Sequence, residues 1–159
     1  MQGWRKAMMQ QRILPKGLPH YERILYATDG SFSAREAGRH AVFLAQRSQA
    51  QLIVLYVTPD SITRRISFLL RRVLSEERRL AKQVVDELQE LARASGVQVL
   101  SAIESGYGND AIGRAAARFE ADLIVVSSTG ANDLQRILGQ ASPGSTPLWA
   151  GRPVCVIMC

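Results

Sequence analysis

Four short runs in this chain bring hydroxyls, carboxylates, glycines and open backbone groups close together: Thr28-Asp29-Gly30-Ser31, Val57-Thr58, Glu104-Ser105-Gly106 and Ser127-Ser128-Thr129-Gly130. Hydroxyl donors beside glycine amides suit an anion such as a phosphate, because glycine lets the backbone approach closely and turn its N–H groups inward. A fifth run, Gly106-Tyr107-Gly108-Asn109-Asp110-Ala111, matches G-x-G-x-x-A, the spacing of a dinucleotide loop. That fingerprint belongs to a first βαβ unit and needs an acid after the next strand, where Ser127 and Ser128 stand instead. The alternative is a glycine-rich turn with Asn109 capping the following helix.

No catalytic set emerges from the same inspection. The chain has no lysine-bearing phosphate loop, no paired histidines at helical spacing, no nucleophile elbow and no pair of carboxylates placed on two strand ends where both could face a substrate. His20 and His40 lie too far from Cys155 and Cys159 in sequence to suggest a metal site, so neither a catalytic residue nor a metal ligand is assigned.

The candidate runs sit where strands should end. Glu22 to Asp29 is a strand-like run stopped by Gly30-Ser31, and Ser33-Ala34-Arg35-Glu36 has capping-box spacing for a helix that carries Ala34, Ala37, Ala41, Leu44 and Ala45 to about Ser48. Gln51 to Val57 is a nearly unbroken β-prone run. A long helix follows over Ser61 to Ser95, with Leu70, Val73, Leu74, Leu80, Val84, Leu88 and Leu91 as its apolar stripe and Gly96 as its stop. Val97 to Ile103 reads as a third strand, Asn109 to Phe119 as a helix, Ala121 to Val126 as a fourth strand and Pro153 to Met158 as the last. Strands alternating with helices at these spacings predict a five-stranded parallel α/β sandwich, in which ligands lie beyond the carboxyl ends of the strands.

At 159 residues, with 47% hydrophobic and 21% charged residues, the chain fits one globular domain. Its net charge is +6, but Arg5, Lys6, Arg12 and Lys16 all precede the first acid at Glu22, and setting those four aside leaves +2. The positive charge therefore belongs to a basic N-terminal extension over 1–20 and does not mark a nucleic-acid face, so no specific nucleic acid is expected as a partner. Two cysteines give no disulfide framework, and no signal peptide or transmembrane segment is read, which points to the cytoplasm. Arg64 to Arg72 is a further basic stretch. Because Glu76, Glu77, Asp86, Glu87 and Glu90 follow it, a solvated helix with i,i+4 ion pairs is favoured over a membrane-binding surface.

Ile24-Leu25-Tyr26-Ala27-Thr28-Asp29-Gly30-Ser31 resembles the opening strand of universal stress proteins. Val54-Leu55-Tyr56-Val57 is similar to their second strand, Ala121-Asp122-Leu123-Ile124-Val125-Val126 to their fourth and Arg152-Pro153-Val154-Cys155-Val156-Ile157 to their last. The resemblance covers 21–159 and implies a three-layer sandwich of the adenine-nucleotide alpha-hydrolase-like type. It also implies a homodimer joined through the C-terminal strand and a stress-associated regulatory role with an unidentified protein partner.

By the same resemblance, Thr28 and Asp29 lie near a nucleotide, Val57 offers backbone groups to an adenine, and Ser127, Gly130, Gln140, Ala141 and Ser142 line the phosphate loop. Asp29 has a second reading as a turn or Asx cap. Family members that bind ATP carry Gly, two residues, Gly, nine residues, then Gly with Ser or Thr; here Ser127 replaces the first glycine and Gln140-Ala141 the final pair. A loop one residue shorter would put Gly139-Gln140 there; separately, Ser142, Ser145 and Thr146 are candidate substitute donors, although Pro143 and Pro147 remove amides from the same segment. The expectation is weak or no ATP binding, hence no cofactor. An ATP-binding sensor with a modified loop is the alternative, followed by a nucleotide hydrolase or phosphotransferase.

Overall fold

The computed structural model describes residues 17–58, 68–105, 108–128, 148–149 and 151–158. Within them the chain forms β1 (Arg23–Thr28), α1 (Phe32–Ser48), β2 (Gln51–Thr58), α2 (Phe68–Ala94), β3 (Val99–Ser105), α3 (Gly108–Arg118), β4 (Leu123–Ser128), β5 (Leu148–Trp149) and β6 (Arg152–Met158). The sheet order is β3-β2-β1-β4-β6-β5. The five expected parallel strands are present, and β5 adds a two-residue antiparallel pairing, Leu148 with Pro153 and Trp149 with Arg152.

The apolar runs of β1, β2 and β4 are buried on both faces because helices cover both sides. Ile24, Tyr26, Leu52, Val54, Leu123 and Val125 face α1 and α2. Their alternating neighbours Leu25, Ala27, Ile53, Leu55, Ile124 and Val126 pack on Ile112, Ala115 and Ala116 of α3. Small residues let α1 lie close to the sheet. A Cβ on Gly38 would stand 2.9 Å from Leu88 Cδ2 and 3.2 Å from Tyr26 Cε1, and the buried Tyr26 hydroxyl donates to the Ala34 carbonyl.

Several boundaries differ from the sequence expectation, each for a local reason. Helix α1 starts at Phe32 with Ser31 as its N-cap, two residues ahead of the expected capping box, because hydrogen bonds at Thr28 and Asp29 turn the chain earlier. Asn109 lies inside α3, which begins at Gly108, so it is not the cap. The three helices among the described residues stop in one way. Gln49, Gly96 and Glu120 take positive φ, and the next amides, of Ala50, Val97 and Ala121, reach back to Ala45, Ala92 and Ala116 at 2.9 Å. Val97 and Ala121 are thereby used in ending helices, so β3 begins at Val99 and β4 at Leu123. The expected helical segment 61–67 lies outside the described residues.

The amino edge of the sheet is fastened by side chains. Asp122 Oδ2 accepts the Glu22 amide at 2.7 Å and Oδ1 the Arg23 amide at 3.2 Å, while the Asp122 amide donates to the Arg23 carbonyl at 2.9 Å. Arg152 Nε donates to the Ala121 carbonyl, tying the start of β6 to the turn before β4.

Candidate functional site

From β1 the chain moves outward through β2 to β3, then returns to β4 and β6 on the other side of β1. The carboxyl ends of β1 and β4 therefore bound a crevice at the point where strand order reverses, the usual place for a ligand in an open parallel sheet. Thr28 ends β1 and Ser127-Ser128 end β4. Thr28 at 4% exposure and Ser128 at 1% are the two buried polar residues among those described.

At the end of β1 the Thr28 hydroxyl accepts the Gly30 amide at 3.0 Å, and Asp29 Oδ1 accepts the Ser31 amide at 2.9 Å. The exposed Asp29 is thus an Asx turn leading into α1, which matches the structural reading of that residue. Ser31 adopts an extended conformation and makes no side-chain cap bond, so the first turn of α1 opens at the crevice without its own serine as acceptor.

Val57 follows Tyr56, the register partner of Thr28, and is half-buried on the α3 side. Ser127 is half-buried and paired with Ile157. Only Gln49 and Glu120 have positive φ among the described non-glycine residues, so Ser127 needs no glycine-like backbone. What serine adds at this position is side-chain volume.

The structure thus brings Thr28, Asp29, Val57 and Ser127 to neighbouring strand ends. Gly130, Gln140, Ala141 and Ser142 lie outside the described residues, as do Gly106 and Tyr107 of the G-x-G-x-x-A run. Glu104, a strand-end acid, is drawn to α3 by an ion pair of 2.7 Å with Arg118. Ser31 and Ser128 stand in the candidate runs, but the sequence assigns neither a role of its own. The Asp29-x-Ser31 spacing is the available signal for the turn that puts Ser31 at the N-cap position, whereas the burial of Ser128 depends on tertiary packing. Among the described residues no group of three or more His, Cys, Asp or Glu side chains could hold a metal ion.

Residues 20–142 match the family model described as the universal stress protein family. The chain belongs to this family. A universal stress protein of Methanocaldococcus jannaschii is 30% identical over 131 residues, covering 79% of this chain and 75% of that one. The solved universal stress protein UspA from Lactobacillus plantarum is 31% identical, with a TM-score of 0.64 over 88% of this chain and 99% of the other. A universal stress protein solved in complex with cAMP shares 24% identity and the fold, with a TM-score of 0.63 over 87% of this chain and 98% of the other.

Proposed function

We propose that this universal stress protein acts as a dimeric regulatory protein whose nucleotide crevice has lost most of its hold on ATP, and that it is not a catalyst. The observation that carries the reading is the strand-order reversal between β1 and β4, with Thr28, Asp29 and Ser127 at its rim and Val57 on the adjoining strand. The related fold that holds cAMP supports an adenine nucleotide as the ligand class for such a crevice.

Ser127 adds volume where the family's ATP binders have glycine, and Gln140-Ala141 replaces the glycine and hydroxyl expected further along the loop. A lost charge-assisted hydrogen bond alone removes about 1.5–3 kcal/mol, or about one to two decades of affinity. Calorimetric titration with ATP and AMP tests this, using Ser127→Gly, Gln140→Gly and Ala141→Ser singly and together. Weak or absent ATP binding that tightens in the combined variant is the expected result, and submicromolar ATP binding by the unaltered protein overturns it. Turnover of ATP to ADP above a protein-free control would overturn the non-catalytic part.

Dimerisation through β6 follows from its composition and place. β5 pairs with Arg152 and Pro153 on the outer side of the strand, and Val154, Cys155 and Val156 are only half-buried in the single chain. An apolar edge of this kind is stabilised by pairing with another strand. A cytoplasmic location belongs to the same proposal. Among the described residues, no helix is long and apolar enough to cross a membrane.

A further inference from the structure

The two edges of β6 have different neighbours. Its inner edge runs along β4, from Val154 beside Ile124 to Met158 beside Ser128. On its outer edge stands β5, which reaches only Arg152 and Pro153.

The turn between β5 and β6 fixes which backbone groups point outward. Trp149 and Arg152 pair across two intervening residues, the second of which, Gly151, has a φ of 76°. A two-residue hairpin closes with its flanking pair hydrogen-bonded, so the amide and carbonyl of Arg152 face β5. These groups alternate in direction along a strand. Those of Val154, Val156 and Met158 therefore face outward too, while Cys155 turns its own toward β4. Among the described residues no strand pairs with the outward groups beyond Arg152.

The run that carries these groups suits a second copy of itself. Val154-Cys155-Val156-Ile157-Met158 has no charged side chain, so an antiparallel copy sets no like charges opposite one another. Val154, Cys155 and Val156 are half-buried, and Met158 is 60% exposed.

A twofold antiparallel pair opposes each residue to one whose backbone groups point the same way, so the axis passes at a residue and not between two. The position of β5 then narrows the choice. An axis at Cys155 would lay the copy's Ile157 and Met158 opposite Pro153 and Arg152, where β5 already stands. An axis at Val156 sets Val154 opposite Met158, Cys155 opposite Ile157 and Val156 opposite itself, and stops just short of Pro153. An axis at Ile157 keeps fewer of these pairs.

We propose that two copies join through β6 with the twofold axis at Val156, and that β5 is the stop that sets this register. The register presupposes the β6 dimer proposed above and adds which residue faces which. With Cys155 opposite Ile157, the two copies of Cys155 are diagonal neighbours about 7–8 Å apart, beyond disulfide reach.

Oxidation of the full-length protein by diamide, followed by peptide mass spectrometry, tests the register. Val156→Cys in a chain that also carries Cys155→Ser and Cys159→Ser places two thiols at a Cα separation of about 5.5 Å, within disulfide range. It should cross-link about tenfold or more faster than Val154→Cys in the same chain, whose two copies stand about 14 Å apart. Val154→Cys combined with Met158→Cys should link position 154 of one copy to 158 of the other, and this pair decides if the Val156 variant does not fold. Equal cross-linking of the Val154 and Val156 single variants overturns the register. In the unaltered chain, a Cys155–Cys155 link would put the axis at Cys155 and a Cys155–Cys159 link would put it at Ile157, and either overturns it as well. A dimer in sedimentation with no link in any folded variant would place the contact on another surface. A monomer would overturn the dimer itself, whereas a misplaced link overturns the register alone.

Discussion

Asp122 belongs to a motif that resembles the family's fourth strand, yet its work is done at the amino edge of the sheet, away from the crevice. Its carboxylate gathers the amides of Glu22 and Arg23, about a hundred positions earlier, and so fixes where β1 starts relative to β4. Asp122→Ala should lower stability by about 1–3 kcal/mol, and Asp122→Asn by less because one acceptor oxygen remains. Urea unfolding of the two variants checks this, and equal losses would mean that the negative charge matters more than the acceptor geometry. Cys155 gives a pH signature at the same scale. Burial pushes its thiol above the ordinary range, so the folded state favours the protonated form. The resulting stability is fully present below the unfolded value and is lost as pH rises through the folded one, in the range above about 8.5. Cys155→Val should flatten that alkaline decline in urea midpoints; an unchanged slope would assign the decline to other groups.

The helices show what an element requires at its ends and faces. The three described helices all stop with a residue at positive φ, but only Gly96 is glycine, while Gln49 and Glu120 bear side chains there. Gln49→Gly should therefore stabilise the fold by roughly 0.5–1 kcal/mol, and Gly96→Ala should destabilise it by about 1 kcal/mol. Thermal unfolding resolves the opposite signs. Gly38 answers a different need, since a methyl group there meets Leu88 of α2 and the ring of Tyr26. Gly38→Ala should cost about 1–2 kcal/mol, with part of the loss recovered when Leu88 is shortened to Val in the same chain. Strict additivity of the two substitutions would place the strain elsewhere.

For the whole molecule, the family match begins at residue 20, next to the boundary expected after the basic extension. Deleting 1–19 should leave cooperative unfolding and ATP titration unchanged, and loss of folded protein would make the extension part of the domain. If β6 joins two copies, Val156→Pro should raise the monomer fraction in sedimentation, because proline removes a backbone donor from an edge strand. A parent protein that sediments as a monomer across micromolar concentrations would rule out the dimer.

The order of strands and helices was legible in the sequence because each signal is local. Apolar runs such as Leu52 to Leu55 mark strands buried on both faces, and alanines at helical spacing mark α1. Gly96 was legible as a stop for the same reason. Gln49 and Glu120 were not, because nothing in their chemistry announces positive φ; the strands that follow impose it. The capping box at Ser33 was overruled by side chains just upstream, Thr28 and Asp29, which hydrogen-bond the amides of the turn. Among the site residues, Thr28, Asp29, Val57 and Ser127 could be placed on strand ends from sequence. That Ser128 is buried and that Glu104 is held by Arg118 depend on contacts set by distant segments. Local pattern fixes what each segment becomes, while burial and pairing are properties of segments meeting, and only the tertiary structure brings them together.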